Sequence, residues 1–253
     1  MNISGDVFEL NRLIAERHPC FGEQRGKNGR VHLPVAPSCN ISCRFCRRAL
    51  NDTEDRPGVA SGIMDADAAL KRIDEALKFC PEITVAGISG PGDTLADDRA
   101  LEVFRVVHKR YPDLILCMST NGLMLPYYAD ELQKVGVKAV TVTVNGVRPE
   151  IVKNVVSEVR FEGRTYGATG AELLIERQLE GIRLASKFAK VKVNIVLIPD
   201  INDGAIGETA RTVAAAGAEL MNIIPLIPQH EFSGTIPPDC EALRKARASA
   251  EKY

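Results

Sequence analysis

Apolar positions along this chain follow two alternating rhythms. Short β-rich runs at 31–36, 83–88, 114–118, 139–144, 192–198 and 219–223 predict strands. Segments of helical period at 65–79, 97–110, 127–135, 171–188 and 206–216 predict the helices between them, and 241–252 predicts a last one. Asp65 fits an N-cap, with Asp67 near the positive end of the helix dipole. Gly136 and Gly217 each fall where a helix must stop just before a strand, the place of a left-handed C′ residue. Strands alternating with helices are joined by right-handed crossovers, which makes the sheet parallel. Six such units predict an α/β fold, an open, partial (β/α)6 barrel of the TIM type. The organisation expected is an N-terminal arm over 1–30, the barrel over 31–235 and a C-terminal helix over 236–253. The stretches 17–30 and 51–62 carry no clear period.

Composition narrows the picture. Of 253 residues, 45% are hydrophobic and 26% charged, a globular balance that excludes bulk disorder. Trp is absent and aromatics are 5%, so the core must come from aliphatic residues, as in a covered parallel sheet. Lys and Arg number 32 against 33 Asp and Glu, a net charge of −1 that removes the electrostatic case for nucleic acid or an anionic membrane as partner. The N-terminus has early acids and no apolar run, unlike a signal peptide, and the longest apolar stretches, near 191–199 and 220–228, fall far short of the ~18 residues of a membrane helix. The expected location is the cytoplasm. There is no G-x4-G-K-[ST], no H-E-x-x-H and no G-x-G-x-x-G, so nucleotide hydrolysis, zinc proteolysis and dinucleotide binding lack support.

Seven cysteines, three of them within eight residues, do not make a disulfide framework; in a reducing compartment they point to metal or redox chemistry. The three are Cys39-Asn-Ile-Ser-Cys43-Arg-Phe-Cys46, just past the first predicted strand. Zinc would want a fourth ligand and a second pair nearby, which the residues from 47 to 79 do not supply. Three thiolates in C-x3-C-x2-C can hold three irons of a 4Fe–4S cluster and leave the fourth open to a small chelating molecule.

Chemistry in such barrels gathers at the C-terminal ends of the strands. The second predicted strand is followed by Gly90-Pro91-Gly92-Asp93, where glycines allow close backbone approach and Asp93 could accept from an ammonium group. The third leads to the polar run Ser119-Thr120-Asn121-Gly122. The fourth ends at Asn145, and the fifth and sixth carry Asn194 and Asn222. Taken singly, each reads as turn or strand-end chemistry.

This spacing and context resemble the radical S-adenosylmethionine (SAM) superfamily. The resemblance implies a SAM-binding 4Fe–4S cluster on Cys39, Cys43 and Cys46, with SAM chelated to the open iron and cleaved after one-electron reduction. It implies further SAM contacts from Gly90, Gly92, Asp93, Ser119, Thr120, Asn121, Asn145, Asn194 and Asn222, and places Phe45 near the adenine.

Longer strings narrow the resemblance. His18-Pro19-Cys20-Phe21, His32-Leu33-Pro34-Val35-Ala36-Pro37, Arg56-Pro57-Gly58-Val59 and Ser119-Thr120-Asn121-Gly122-Leu123 stand in this order. Glu176-Arg177-Gln178-Leu179-Glu180-Gly181, Val193-Asn194, Leu197-Ile198-Pro199, Asn222-Ile223 and Pro225-Leu226-Ile227 follow. Together they are similar to the NifB family of nitrogenase-cofactor maturases. That similarity implies one or two additional 4Fe–4S substrate clusters. One SAM donates a methyl group to a cluster sulfur, and a second SAM gives the radical that abstracts hydrogen from it. The carbon becomes a central carbide as two clusters fuse into the eight-iron cofactor precursor. His18, Cys20 and Cys117 match the family's ligands for one substrate cluster, if the arm folds back over the barrel mouth. Taken alone, Cys117 reads as a small buried hydrophobe and His18 as a surface histidine. Glu54 matches an acidic family position, as proton acceptor or transient iron ligand. The implied partners are an iron–sulfur cluster donor, an electron donor and a downstream cofactor carrier or scaffold. Cys80 reads as structural, and Cys240 as structural or incidental.

The family carries a further C-x2-C pair, expected to hold the second substrate cluster, shortly beyond the point where this sequence stops; the expectation is therefore a truncation. Two other readings stay open on the residues: a radical SAM enzyme acting on an organic substrate, and a non-catalytic iron–sulfur scaffold.

Overall fold

The computed structural model describes residues 3–21, 26–47, 50, 60–167 and 169–253, with the side chains of the first helix from residue 9 onward. The chain opens with helix α1 (Ile3–Arg17), then strands β1 (Gly29–Leu33) and β2 (Ile41–Cys43). Helix α2 (Ala66–Phe79), β3 (Ile83–Ile88), α3 (Arg99–Arg110), β4 (Ile115–Thr120), α4 (Leu125–Lys134) and β5 (Val137–Thr143) follow in strict alternation. Next come α5 (Pro149–Val155), β6 (Val156–Phe161) and β7 (Arg164–Tyr166). Helix α6 (Gly170–Ala185), β8 (Lys190–Leu197), α7 (Ile206–Ala215), β9 (Leu220–Pro225) and α8 (Cys240–Ala250) complete the chain.

Six strands pair in parallel in the order β1-β3-β4-β5-β8-β9, and the sheet curls into a half-barrel. This is the α/β architecture the alternation predicts. Asp65 caps α2 by accepting from the Ala68 N–H at 2.8 Å, and Gly136 and Gly217 take φ of +82° and +110° where helices stop before β5 and β9. The convex face of the sheet (Leu116, Met118, Val140, Val142, Val191, Val193) packs under Ile73, Phe104, Leu132 and Ile182 of the outer helices. Among the described residues no helix is long and apolar enough to cross a membrane.

Helix α1 fills the lower part of the concave face. Leu10, Leu13 and Ile14, at i, i+3 and i+4, meet Val85, Ile115 and Ala139. Its anchors lie at strand beginnings: Arg17 Nη2 donates to the Asp113 carbonyl, Thr84 Oγ1 to the Arg17 carbonyl, and Lys190 Nζ to Asn11 Oδ1. The arm therefore enters the barrel from the N-terminal ends of its strands, rather than lying over the mouth as expected. The physical reason is apolar: the lower concave wall is aliphatic and would otherwise face water.

A three-stranded antiparallel sheet, β2-β6-β7, stands beside the mouth. Its hairpin turns at Glu162-Gly163, both with positive φ, as a tight two-residue turn requires. Because β2 carries Cys43, half of the cysteine loop is held in a ladder, with Ile41 opposite Val159 and Cys43 opposite Val156.

Ile14 is fully buried at the α1–sheet contact. Ile14→Ala should cost about 2–4 kcal/mol in anaerobic urea unfolding; a loss under about 0.5 kcal/mol would show that α1 is not docked there.

Candidate functional site

A cavity of about 230 Å³ opens at the C-terminal end of the sheet. Cys39, Cys43, Phe45 and Cys46 line one side of it; Gly90, Gly92, Asp93, Ser119, Thr120, Asn121 and Asn145 line the rest. Eleven residues singled out from sequence thus meet in one cavity, counted from that lining. Thr143 of β5 and Gln178 of α6 join them. Asn194 and Asn222 do not. They sit opposite each other on β8 and β9, and Asn222 Nδ2 reaches Asn194 Oδ1 at 3.5 Å. Glu54 and the string from Arg56 to Val59 lie outside the described residues.

The cavity walls are wired to one another through Asp93. Its Oδ1 accepts from the Leu95 N–H and the Thr120 hydroxyl, both at 3.0 Å, and its Oδ2 accepts from the Asn121 N–H. Burial pushes the Asp93 carboxyl up, while the hydrogen bonds from Asn121, Leu95 and Thr120 pull it back down. Three of its lone-pair positions are thus committed to protein, so its first task is to join the β3 and β4 loops. Thr94 Oγ1 adds a 2.7 Å bond to the Ser119 carbonyl.

Gly92 serves the same joint. Its N–H donates to the Ala36 carbonyl at 2.7 Å, and a Cβ there would lie 1.9 Å from the Ser38 carbonyl oxygen. This glycine allows a close approach to the backbone just before the cysteine loop, and it also lines the cavity. Asn121 completes the web: its Nδ2 donates to Asn40 Oδ1 at 2.6 Å and reaches Cys39 Sγ at 3.7 Å. Gln178 Nε2 donates to the Asn121 and Thr143 carbonyls at 2.7 and 2.9 Å, clamping the β4 and β5 ends from α6. Asn145 Oδ1 accepts from the Val196 N–H at 2.9 Å. Thr120, Asn121 and Asn145 therefore shape the walls, and the Ser119 hydroxyl makes no hydrogen bond among the described residues.

One step down the same face of β4 lies Cys117, buried, in register with Gly87 on one side and Ala139 on the other. Phe21, just past α1, packs in the same cluster, and the buried His18 ring lies edge-on to it. His18 Nδ1 accepts from the Cys20 N–H at 3.1 Å, while its Nε2 is buried without a partner. In the neutral ring that arrangement leaves the proton on Nε2, so iron ligation there requires the proton to leave. Burial, then the charges of Arg30 and Lys192, hold the His18 pKa down to about 3. Burial also pushes the Cys117 thiol up; Arg30 and Lys192 oppose that, and Cys20 adds to it. Cys20 is exposed. Arg30 and Lys192 act on both His18 and Cys117, and Cys20 acts on Cys117, so the three lie in one neighbourhood.

Neither set is closed: among the described residues no three His, Cys, Asp or Glu side chains are assembled to hold a metal ion. The donor chemistry nevertheless fits. Three thiols facing one cavity suit a 4Fe–4S cluster with an open iron, and an orphaned buried imidazole nitrogen beside two thiols suits a second.

Sequence reasoning missed Arg30, Lys192, Asn40 and, as a site residue, Gln178. Strand alternation could have exposed two of them. A doubly covered parallel strand should be apolar throughout, yet Lys190-Val191-Lys192-Val193-Asn194 and Arg30-Val31-His32 alternate, which marks a polar concave face.

Three thiols on a loop at the mouth of a parallel half-barrel point to radical SAM chemistry, and residues 33–213 match the radical SAM superfamily. The chain is 44% identical over 245 residues to the FeMo cofactor biosynthesis protein NifB of Methanocaldococcus jannaschii, covering 95% of this chain and 81% of that protein. It is 40% identical over 257 residues to that of Klebsiella pneumoniae, covering 96% of this chain and 55% of that protein. In fold it is similar to methylornithine synthase, with a TM-score of 0.58 at 11% identity over 98% of this chain and 69% of that one. The chain belongs to the NifB family of the radical SAM superfamily.

Gly92→Ala should lower stability by about 1–3 kcal/mol, since the Ser38 carbonyl must move. It should also weaken SAM binding measured calorimetrically; unchanged values of both would remove Gly92 from the joint.

Proposed function

We propose that this protein makes the iron–sulfur core precursor of the nitrogenase cofactor, using carbon from SAM as two 4Fe–4S units are fused. The observation that carries the reading is a pair of donor sets stacked on one concave face. Ser119 faces the cysteine-lined cavity, and Cys117, two residues earlier on β4, faces the same concave side beneath it. Side chains two apart on a strand point the same way and stand about 7 Å apart. That is a suitable spacing for a SAM molecule above to act on a sulfur-rich substrate below.

Held by Cys39, Cys43 and Cys46, a 4Fe–4S cluster supplies the electron that cleaves SAM and an open iron that chelates its amino and carboxylate groups. The chain's own residues do the positioning. The Asp93 joint fixes the β3 and β4 loops against the cysteine loop, Phe45 offers an aromatic face for the adenine, and Ser119 keeps a hydroxyl for the ligand. Below, His18, Cys20 and Cys117 hold the substrate cluster. An imidazole in place of a thiolate makes that cluster less negative and easier to pass on. Glu54, outside the described residues, is proposed as a proton acceptor or transient iron ligand. An iron–sulfur donor, an electron donor and a downstream carrier complete the reaction, in the cytoplasm.

The test is iron per chain and 5′-deoxyadenosine formed under dithionite, after anaerobic reconstitution. Cys43→Ala should abolish deoxyadenosine formation. Cys117→Ala should preserve it and lower bound iron by up to about four per chain. Normal SAM cleavage in the first variant would contradict the cofactor assignment; unchanged iron in the second would remove Cys117 as a ligand.

A further inference from the structure

The concave face beneath the cysteine-lined cavity carries two cations, Arg30 and Lys192, that no carboxylate among the described residues neutralises. Arg30 of β1 lies across Gly87 of β3, where an added Cβ would stand 2.2 Å from Arg30 Nε, so the sheet makes room for the guanidinium. Arg30 Nε is buried without a partner. Lys192 of β8 points into the same space, with its Nζ 4.6 Å from the Phe21 ring centroid. Among the described residues neither cation forms an ion pair. A neighbour on the same strand shows the contrast: Lys190 is paired with Glu219 at 2.7 Å. A half-buried cation ordinarily acquires a carboxylate, because removing it from water unpaired is costly.

Near both cations are Cys117, whose register partner is Gly87, and His18, whose ring lies edge-on against Phe21 at 4.6 Å. We infer that Arg30 and Lys192 are positioning residues for the substrate cluster, aimed at its sulfides so as to stabilise its reduced form. This rests on the proposed reading of His18, Cys20 and Cys117 as ligands. The chemistry is specific to such a substrate. A 4Fe–4S unit held by two thiolates and one imidazole is formally neutral when oxidised and anionic once it gains an electron. Its bridging sulfides accept hydrogen bonds, and nearby positive charge raises its potential. The counter-charge for the two cations thus begins to develop when the bound substrate takes up an electron.

The experiment uses the full chain carrying Cys39→Ala, Cys43→Ala and Cys46→Ala, so that only the lower site can take up a cluster. After anaerobic reconstitution with iron and sulfide, iron per chain is counted. The bound cluster is then titrated potentiometrically, with its electron paramagnetic resonance signal as readout. Arg30→Gln and Lys192→Met should each lower the ratio of reduced to oxidised cluster at fixed potential about tenfold, a fall of about 59 mV for a one-electron couple. Arg30→Lys and Lys192→Arg keep the charge and should restore the ratio to within about twofold. Lys190→Met, whose charge Glu219 already balances, should leave it unchanged. A bound cluster whose potential ignores both charge removals would overturn this inference and leave the ligand reading standing. Absence of any cluster from the background chain would overturn the ligand reading, and the inference with it.

Discussion

A half-barrel has a concave face that its own crossover helices cannot cover, and most of this molecule's organisation answers that constraint. The helices bury the convex side of the sheet against Val, Leu and Phe. The concave side is filled in three storeys. At the bottom α1 supplies Leu10, Leu13 and Ile14 against an aliphatic wall. In the middle the wall turns polar, with Cys117, Arg30, Lys192 and the imidazole of His18. At the top the strand ends and the cysteine loop leave a cavity. Filling such a face entirely with side chains would have made a core; leaving its upper storeys polar makes room for ligands.

The upper storey depends on loops holding one another. Asp93 reaches from the β3 loop to the β4 loop, Gly92 sits on the backbone of Ser38, and Asn121 carries the connection on to Asn40 and Cys39. Gln178 and the β2–β6 ladder brace the far side. Residues that look like ligand contacts in the sequence therefore act first as the frame that presents the thiols. Such a division is physically economical. A buried carboxylate satisfied by two backbone N–H groups and a hydroxyl fixes two chain segments against each other, with a geometry that a flexible side chain facing solvent could not maintain.

Much of this was legible before any coordinates. Alternating periods predicted the six strands and their parallel pairing in an open barrel, because a βα repeat permits few alternatives. The cysteine spacing and the strand-end strings named eleven of the residues that line the upper cavity, while Asn194 and Asn222, named on the same grounds, do not line it. The elements that escaped were those whose signal is weak by nature. Helix α1 shows only one short apolar stripe among charged neighbours, α5 is a two-turn helix opening on Pro149, and β6 and β7 are short strands around a Glu-Gly turn. Arg30 and Lys192 escaped for a different reason. Each is unremarkable as a residue type, and only the register of β1, β3, β4 and β8 brings them together around Cys117. The side of the barrel from which α1 enters is likewise a tertiary property, set by where the concave wall is greasy.

The central claim is that one concave face holds two iron–sulfur sites, one above the other. It is tested most directly by crystals of the anaerobically reconstituted chain, mapped by anomalous scattering at the iron edge. The account predicts two separate peaks, one bounded by Cys39, Cys43 and Cys46 and the other by His18, Cys20 and Cys117. Iron at the upper site alone, with Cys117 still buried among apolar neighbours and His18 Nε2 unligated, would contradict it.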